Sequence, residues 1–241
     1  MSHHILSKIP FLHSLGVATN HAVSPPALIP PTTASARFEA RDPARNVIRW
    51  FPRACKAVVW TIVLCEVAAI LASWNASTPV SKLTLSLLTF GGRPTPLEVY
   101  MSPAFIVGWA MVMSGTLVRD VCYRYLGDQF TTALSITDGH HLVTEGPYSI
   151  VRHPSYTGWV IISTGLVITE TCRGSWVAQC GLLDILTGKI GVVAYVILHI
   201  RICTIVVIRT VEEDAALRET FGEEWVRWAK RTPYRICPGL Y

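Results

Sequence analysis

The run "ACKAVVWTIVLCEVAAILASW", Ala54 to Trp74, decides the class of fold to expect. As a helix rising 1.5 Å per residue it measures roughly 30 Å, the thickness of one hydrocarbon core. Three more apolar runs follow: "PAFIVGWAMVMSGTLV" from Pro103 to Val118, the shorter "SYTGWVIISTGLVI" from Ser155 to Ile168, and "IGVVAYVILHIRICTIVVI" from Ile190 to Ile208. "SKLTLSLLTF", between the first two, is too short and mixed for a clear span. It reads as interfacial, re-entrant or a fifth crossing. The pattern predicts an all-α integral membrane protein with about four to five transmembrane helices.

The composition agrees. Hydrophobic residues make up 51% of the 241, and charged residues 15%, against about a quarter charged in a soluble domain. The net charge of +5 comes without any dense basic block, so the expected partner is the lipid bilayer and no nucleic acid. Seven cysteines are scattered singly. No CxxC pair occurs, so neither a zinc site nor a disulfide framework is indicated. Cys55, Cys65 and Cys203 fall in apolar runs and act there as small hydrophobes.

Residues 1–50 centre on "SPPALIPPTTASA" and have no acidic residue before Glu39; they read as a disordered or targeting-like tail. Residues 51–126 would then hold the first membrane helices. Arginines stand at 37, 41, 45, 49 and 53. The segment 119–154 holds Arg119, Arg124 and Arg152, and the tail after 208 holds Arg209, Arg218, Arg227, Lys230 and Arg231. The links 75–102 and 171–189 hold fewer. With four crossings, the positive-inside rule places the amino terminus, the 119–154 loop and the carboxyl tail in the cytosol. The two charged segments then share one side and can close over each other.

The first of them contains "DGHHLVTEGPYSIVRHPSYTGW". Gly146-Pro147 forces a turn. Pro154 holds His153 extended and suits the first turn of the following helix. The loop therefore presents His140, His141, Tyr148, Arg152, His153 and Tyr156 around a helix start, whose free N–H groups suit an anion. Arg152 and the tyrosines equally suit anchoring at lipid headgroups. The histidines, His199 included, match no ligand spacing, so no metal is expected.

The second segment is "RTVEEDAALRETFGEEWVRWAKR", Arg209 to Arg231. Val211, Ala215, Leu217, Phe221, Trp225 and Trp228 recur at roughly helical spacing, an amphipathic helix on the cytosolic face interrupted near Gly222. Arg209 and Glu213 are four apart and share one face; a plain surface ion pair is the bland alternative. Glu66, His199 and Arg201 lie within the apolar runs and call for a cavity or a partner.

Together, "HHLVTEGPYSIVRHPSYTGW" and "RTVEEDAALRETFGEEW" resemble the isoprenylcysteine carboxyl methyltransferase family. The likeness runs from about Gly127 to Pro233. RHPxYxG with a downstream EE also occurs in a wider superfamily that includes phospholipid N-methyltransferases and some sterol reductases. The combination of "HxLV", "GxY", "RHPSYxGW" and "FGEEW" is the more specific signal. The resemblance implies that 127–241 is a membrane-embedded methyltransferase catalytic region in the endoplasmic reticulum. Its cytosolic cofactor pocket would be built from the loop and the carboxyl-terminal amphipathic helix. The implied methyl donor is S-adenosyl-L-methionine, and the implied acceptor is the prenylcysteine carboxylate of prenylated, CaaX-processed proteins. By the family pattern the cofactor meets His140, His141, Leu142, Val143, Tyr148, His153, Pro154, Ser155, Tyr156 and Glu213. Arg209 is the matching catalytic and acceptor-binding residue, and Ser135 is the candidate for a further polar contact upstream.

The chemistry is compatible with these residues. A cysteine α-carboxylate is ionised at neutral pH, so an in-line methyl transfer needs no general base. Alignment and removal of water are the tasks left to the protein. The alternatives are a phospholipid amine N-methyltransferase, which would have to keep its amine neutral, and a non-catalytic membrane protein of the same fold.

Overall fold

The computed structural model describes residues 3–24, 42–92, 97–130 and 139–241. Ser135 lies outside the described residues. Among the described residues every regular element is helical: α1 Lys8–Ala22, α2 Arg45–Trp74, α3 Pro79–Leu88, α4 Pro103–Leu126, α5 Pro154–Thr171, α6 Leu186–Phe221 and α7 Glu223–Arg231. Single turns stand at His3–Leu6 and Trp176–Gln179, and 3-10 turns at Gly127–Gln129, Gly146–Ser149 and Leu182–Asp184.

Among the described residues, three segments are long and apolar enough to cross a membrane: Arg49–Trp74, Pro103–Gln129 and Leu186–Phe221. The third expected run does form a helix, α5. It carries Ser163, Thr164, Thr169, Glu170 and Thr171 and is not among those segments. The mixed stretch after the first run forms α3, capped by Thr78, whose Oγ1 accepts from Ser81 N at 3.1 Å. On α6, Leu186, Ile190, Val193, Ile197, Ile200 and Ile208 are exposed. Most of their steps are three or four residues, which places them along one face.

A separate amphipathic helix was expected after Ile208. Instead α6 continues unbroken to Phe221, because Arg209 to Thr220 contains neither Gly nor Pro to stop it. The break comes at Gly222, with φ at +52°, a conformation glycine adopts without steric penalty.

The chain divides into two compact units that interleave in sequence. The first takes Met1–Asn20, Ala54–Met113 and Ile162–Ile200. Of residues 1–50, read as a tail, 25–41 lie outside the described residues. Residues 8–22 form a helix, with Leu12 and Leu15 in the core. Lys8 is fully buried; its Nζ lies 2.5 Å from Glu66 Oε1 and donates to the carbonyls of Tyr100 (2.9 Å) and Gly174 (3.0 Å). Glu66 Oε2 accepts from Trp176 N at 2.9 Å. This is the partner that an acid in an apolar run requires. His199 likewise meets Ser163 Oγ at 2.6 Å and the ring of Tyr195, while Arg201 is exposed. Gly108 and Gly165 bring two helix backbones together: a Cβ on Gly165 would fall 2.6 Å from Gly108 O.

The second unit takes His21–Arg53, Ser114–Ile161 and Arg201–Tyr241. Gly158 makes a similar approach to Gly115 O, 2.8 Å from a would-be Cβ. Arg119 donates to Ala22 O at 3.0 Å and to Ser155 O and Oγ at 3.1 Å each. The carboxyl-terminal segment is laced to the loop before α5. Arg152 N donates to Tyr234 O (2.9 Å), His153 N to Arg235 O (2.8 Å) and Thr157 Oγ1 to Ile236 O (2.6 Å). Cys122, Leu142, Tyr148 and Trp228 form the buried apolar cluster beside it, and Trp228 Nε1 donates to Tyr148 O at 3.1 Å.

Candidate functional site

A cavity of about 250 Å³ opens within the second unit. Along α6 its lining reads Ile202, Ile205, Val206, Arg209, Glu213, Ala216 and Leu217, a helical face that passes from apolar to charged and back. Val47, Phe51 and Trp159 add apolar wall, with Phe51 and Trp159 packed edge to face at 5.6 Å.

The two charges on α6 have separate partners. Arg209 is buried, and its Nη2 lies 3.2 Å from Oδ2 of Asp42, whose side chain is wholly buried. The guanidinium carbon sits 5.9 Å from the centre of the Tyr156 ring. The Tyr156 hydroxyl donates to Glu213 Oε2 at 2.6 Å. His153 stacks on Tyr156, with 5.7 Å between ring centres and 12° between planes.

Beneath this lies a clamp centred on Asp214. Its carboxylate accepts from Arg152 Nε (3.2 Å to each oxygen) and Nη2 (3.0 Å), and from Arg235 Nε (2.8 Å). His153 Nε2 lies 3.0 Å from Asp214 Oδ1. Arg152 Nη1 donates to Thr232 O and Pro233 O at 2.8 and 2.7 Å. Arg152 had been read at the loop mouth or at the headgroups. It lines the cavity beside the start of α5, is buried, and ties the loop to α6 and to the carboxyl-terminal segment. An arginine fork answers several acceptors at fixed angles, which suits it to that duty.

The sequence profile of the isoprenylcysteine carboxyl methyltransferase (ICMT) family matches residues 108–180, which carry most of α4, the loop and α5. Protein-S-isoprenylcysteine O-methyltransferase B of Arabidopsis thaliana is 30% identical over 128 residues, 52% of this chain and 55% of that protein. The proteins named protein-S-isoprenylcysteine O-methyltransferase from Rattus norvegicus and Homo sapiens are 32% identical over 128 residues and 31% over 130. Over about half of its length the chain is similar to proteins of the isoprenylcysteine carboxyl methyltransferase family. It covers 55% of the Arabidopsis protein, and 38% and 39% of the rat and human ones. The ICMT profile contains the loop and ends at residue 180, before Arg209 and Glu213; both of those line the same cavity as the loop.

Of the residues expected in an ICMT site, His140, His141, Leu142, Val143, Tyr148, His153, Ser155, Tyr156, Arg209 and Glu213 all line the cavity. Pro154 is buried and is not among the lining residues; with its fixed φ it starts α5. Ser155 reaches the cavity with both oxygens already accepting from Arg119. His141 is tied to Gln129, its N–H donating to Oε1 at 2.7 Å. His140 Nδ1 is buried with no partner among the described residues. Burial holds the His140 pKa below the ordinary histidine value; the neighbouring His141 adds to this and Glu213 acts against it. Burial also pushes the Tyr148 hydroxyl well above the usual range, so it stays a phenol.

Asp42 and Asp214 were not anticipated, and Trp228, read only as part of an amphipathic helix, lines the cavity as well. Asp42 had a signal in "RDPAR", an Asp-Pro turn ahead of a helix. Asp214 had none beyond its place in "EED".

Proposed function

We propose that this chain methylates the C-terminal prenylcysteine carboxylate of prenylated, CaaX-processed proteins, with S-adenosyl-L-methionine as donor. One observation carries the reading: a cation, Arg209, and an anion, Glu213, stand one turn apart on α6 and open into one cavity with an apolar wall. That combination suits a cationic donor meeting a greasy acid.

The residues present fit the donor's chemistry. Glu213 is 30% exposed by side chain and offers a carboxylate for an ammonium group. His140 Nδ1 and Trp159 Nε1 are buried polar atoms without partners among the described residues, and both residues line the cavity. When bound, the donor supplies a sulfonium methyl open to displacement.

Arg209 would grip the acceptor carboxylate through charge-assisted bonds. Tyr156, fixed by Glu213 and by the His153 stack, would keep the two binding poles apart. No side chain need take a proton, because the acceptor is already ionised, and the His153 ring is engaged by Asp214. The walls formed by Phe51, Trp159, Ile202, Ile205 and Val206 exclude water from the nucleophile and suit the first part of a prenyl chain. An amine acceptor would face the Arg209 cation, which disfavours phospholipid headgroup methylation. In this reading α5 makes a fourth crossing, and the loop and the tail lie on the cytosolic face of the endoplasmic reticulum.

The test supplies membranes containing the chain with labelled donor, a farnesylated cysteine analogue and phospholipid together. Base-labile methyl ester on the cysteine analogue is the expected product. Label confined to headgroup lipid, or no transfer while the donor is seen to bind, overturns the reading. Arg209→Ala is expected to abolish ester formation and leave donor binding largely intact.

A further inference from the structure

We infer that Asp42 is a positioning residue that holds Arg209 toward the acceptor carboxylate and away from Glu213. The inference rests on the methyl-transfer reading above.

Arg209 and Glu213 stand four apart on α6, a spacing at which opposite charges attract. Closure of one on the other would neutralise both poles of the cavity. In the structure Arg209 Nη2 meets Asp42 Oδ2 at 3.2 Å, while Glu213 Oε2 takes the Tyr156 hydroxyl at 2.6 Å. Asp42 is itself fixed: its Oδ1 accepts from Ala44 N at 2.8 Å at the head of α2, and its side chain is 0% exposed. Ala44 and Val47, just beyond it, line the same cavity. Asp42 is therefore a buried, hydrogen-bonded anion beside a helix start, placed to set the direction of a long side chain.

The kinetic signature follows from the charge on the acceptor. Its carboxylate loses negative charge as the ester forms, so Arg209 holds the ground state at least as strongly as the transition state. Misplacing Arg209 should raise KM for the acceptor and move kcat less. A guanidinium drawn to Glu213 should also weaken the donor.

The experiment uses the full chain in lipid nanodiscs. Asp42→Asn keeps Oδ1 for the Ala44 N–H but sets an amide against the guanidinium. It is expected to raise the acceptor KM about tenfold and weaken donor binding severalfold, with kcat within about threefold of wild type. A KM equal to or below wild type overturns the inference. An unchanged KM in Asp42→Asn beside a damaged Asp42→Ala would make Asp42 a helix cap only. Should Asp42→Asn fail to insert, Asp42→Glu gives the same decision: it keeps the charge, so a KM near wild type supports the inference and one as high as in Asp42→Ala overturns it. Wild-type protein that makes no methyl ester sinks the methyl-transfer reading instead. In that case donor affinity still judges Asp42, because an Asp42→Asn affinity equal to wild type rejects the closure onto Glu213.

Discussion

Asp214→Ala should be the most damaging single change in the carboxyl-terminal half, and the structure gives its size. Asp214 is 4% exposed and Arg152 8%. Arg152 also donates to Thr232 O and Pro233 O, so it cannot turn out to water once its carboxylate is gone. Removing one partner of a buried ion pair costs roughly 3–5 kcal/mol, chiefly through the charge left behind. Arg235, the other cation on Asp214, is 28% exposed by side chain and can rehydrate. Arg235→Ala should therefore cost no more than about 1 kcal/mol. For a chain of this length each kcal/mol lowers the melting temperature by roughly 2–4 °C. Asp214→Ala should then melt on the order of 10 °C below wild type, and Arg235→Ala a few degrees below at most. Intrinsic tryptophan fluorescence in nanodiscs reads both. The decisive variant is the double Asp214→Ala/Arg152→Ala. Because it removes the stranded charge as well, it should lose less than the sum of the singles. Strictly additive losses, or an Asp214→Ala protein melting within about 2 °C of wild type, would refute the clamp.

Glu213→Gln should weaken donor binding by about tenfold or more, since a neutral amide cannot balance an ammonium in a partly buried site; titration calorimetry checks it, and unchanged affinity removes Glu213 from the donor side. Lys8→Met should destabilise by roughly 3–5 kcal/mol by leaving Glu66 buried and charged, while adding Glu66→Leu should restore most of the loss. The His140 pKa lies below its ordinary 6.5 because burial disfavours the imidazolium. The unfolded chain therefore binds the proton more readily, and stability contributed by the neutral ring is present above 6.5 and lost as pH falls from there toward the folded value. Melting curves from pH 7.5 to 5 should show that loss, and His140→Gln should flatten it.

Most of the helices were legible because each carries its own signal. The apolar runs gave α2, α4 and α6, Pro154 gave the start of α5, and Gly222 gave the break before α7. The loop residues at the cavity were legible through family likeness, since "HHLV" and "RHPSYTGW" keep their order along the chain. What could not be read was pairing over distance. Glu66 inside an apolar run announced that it needed a partner, yet nothing local named Lys8. Arg209 and Glu213 four apart suggested each other, while Arg209 is held by Asp42 and Glu213 by Tyr156. Both buried counter-ions, Lys8 and Asp42, come from the fifty residues whose Pro, Ser, Thr and Ala content read as a tail. Composition judges a segment by how much apolar surface it can bury. It does not register an ion in such a segment that a buried charge elsewhere cannot do without. The Lys8–Glu66 pair in the first unit and the Asp42–Arg209 pair in the second are each such a case.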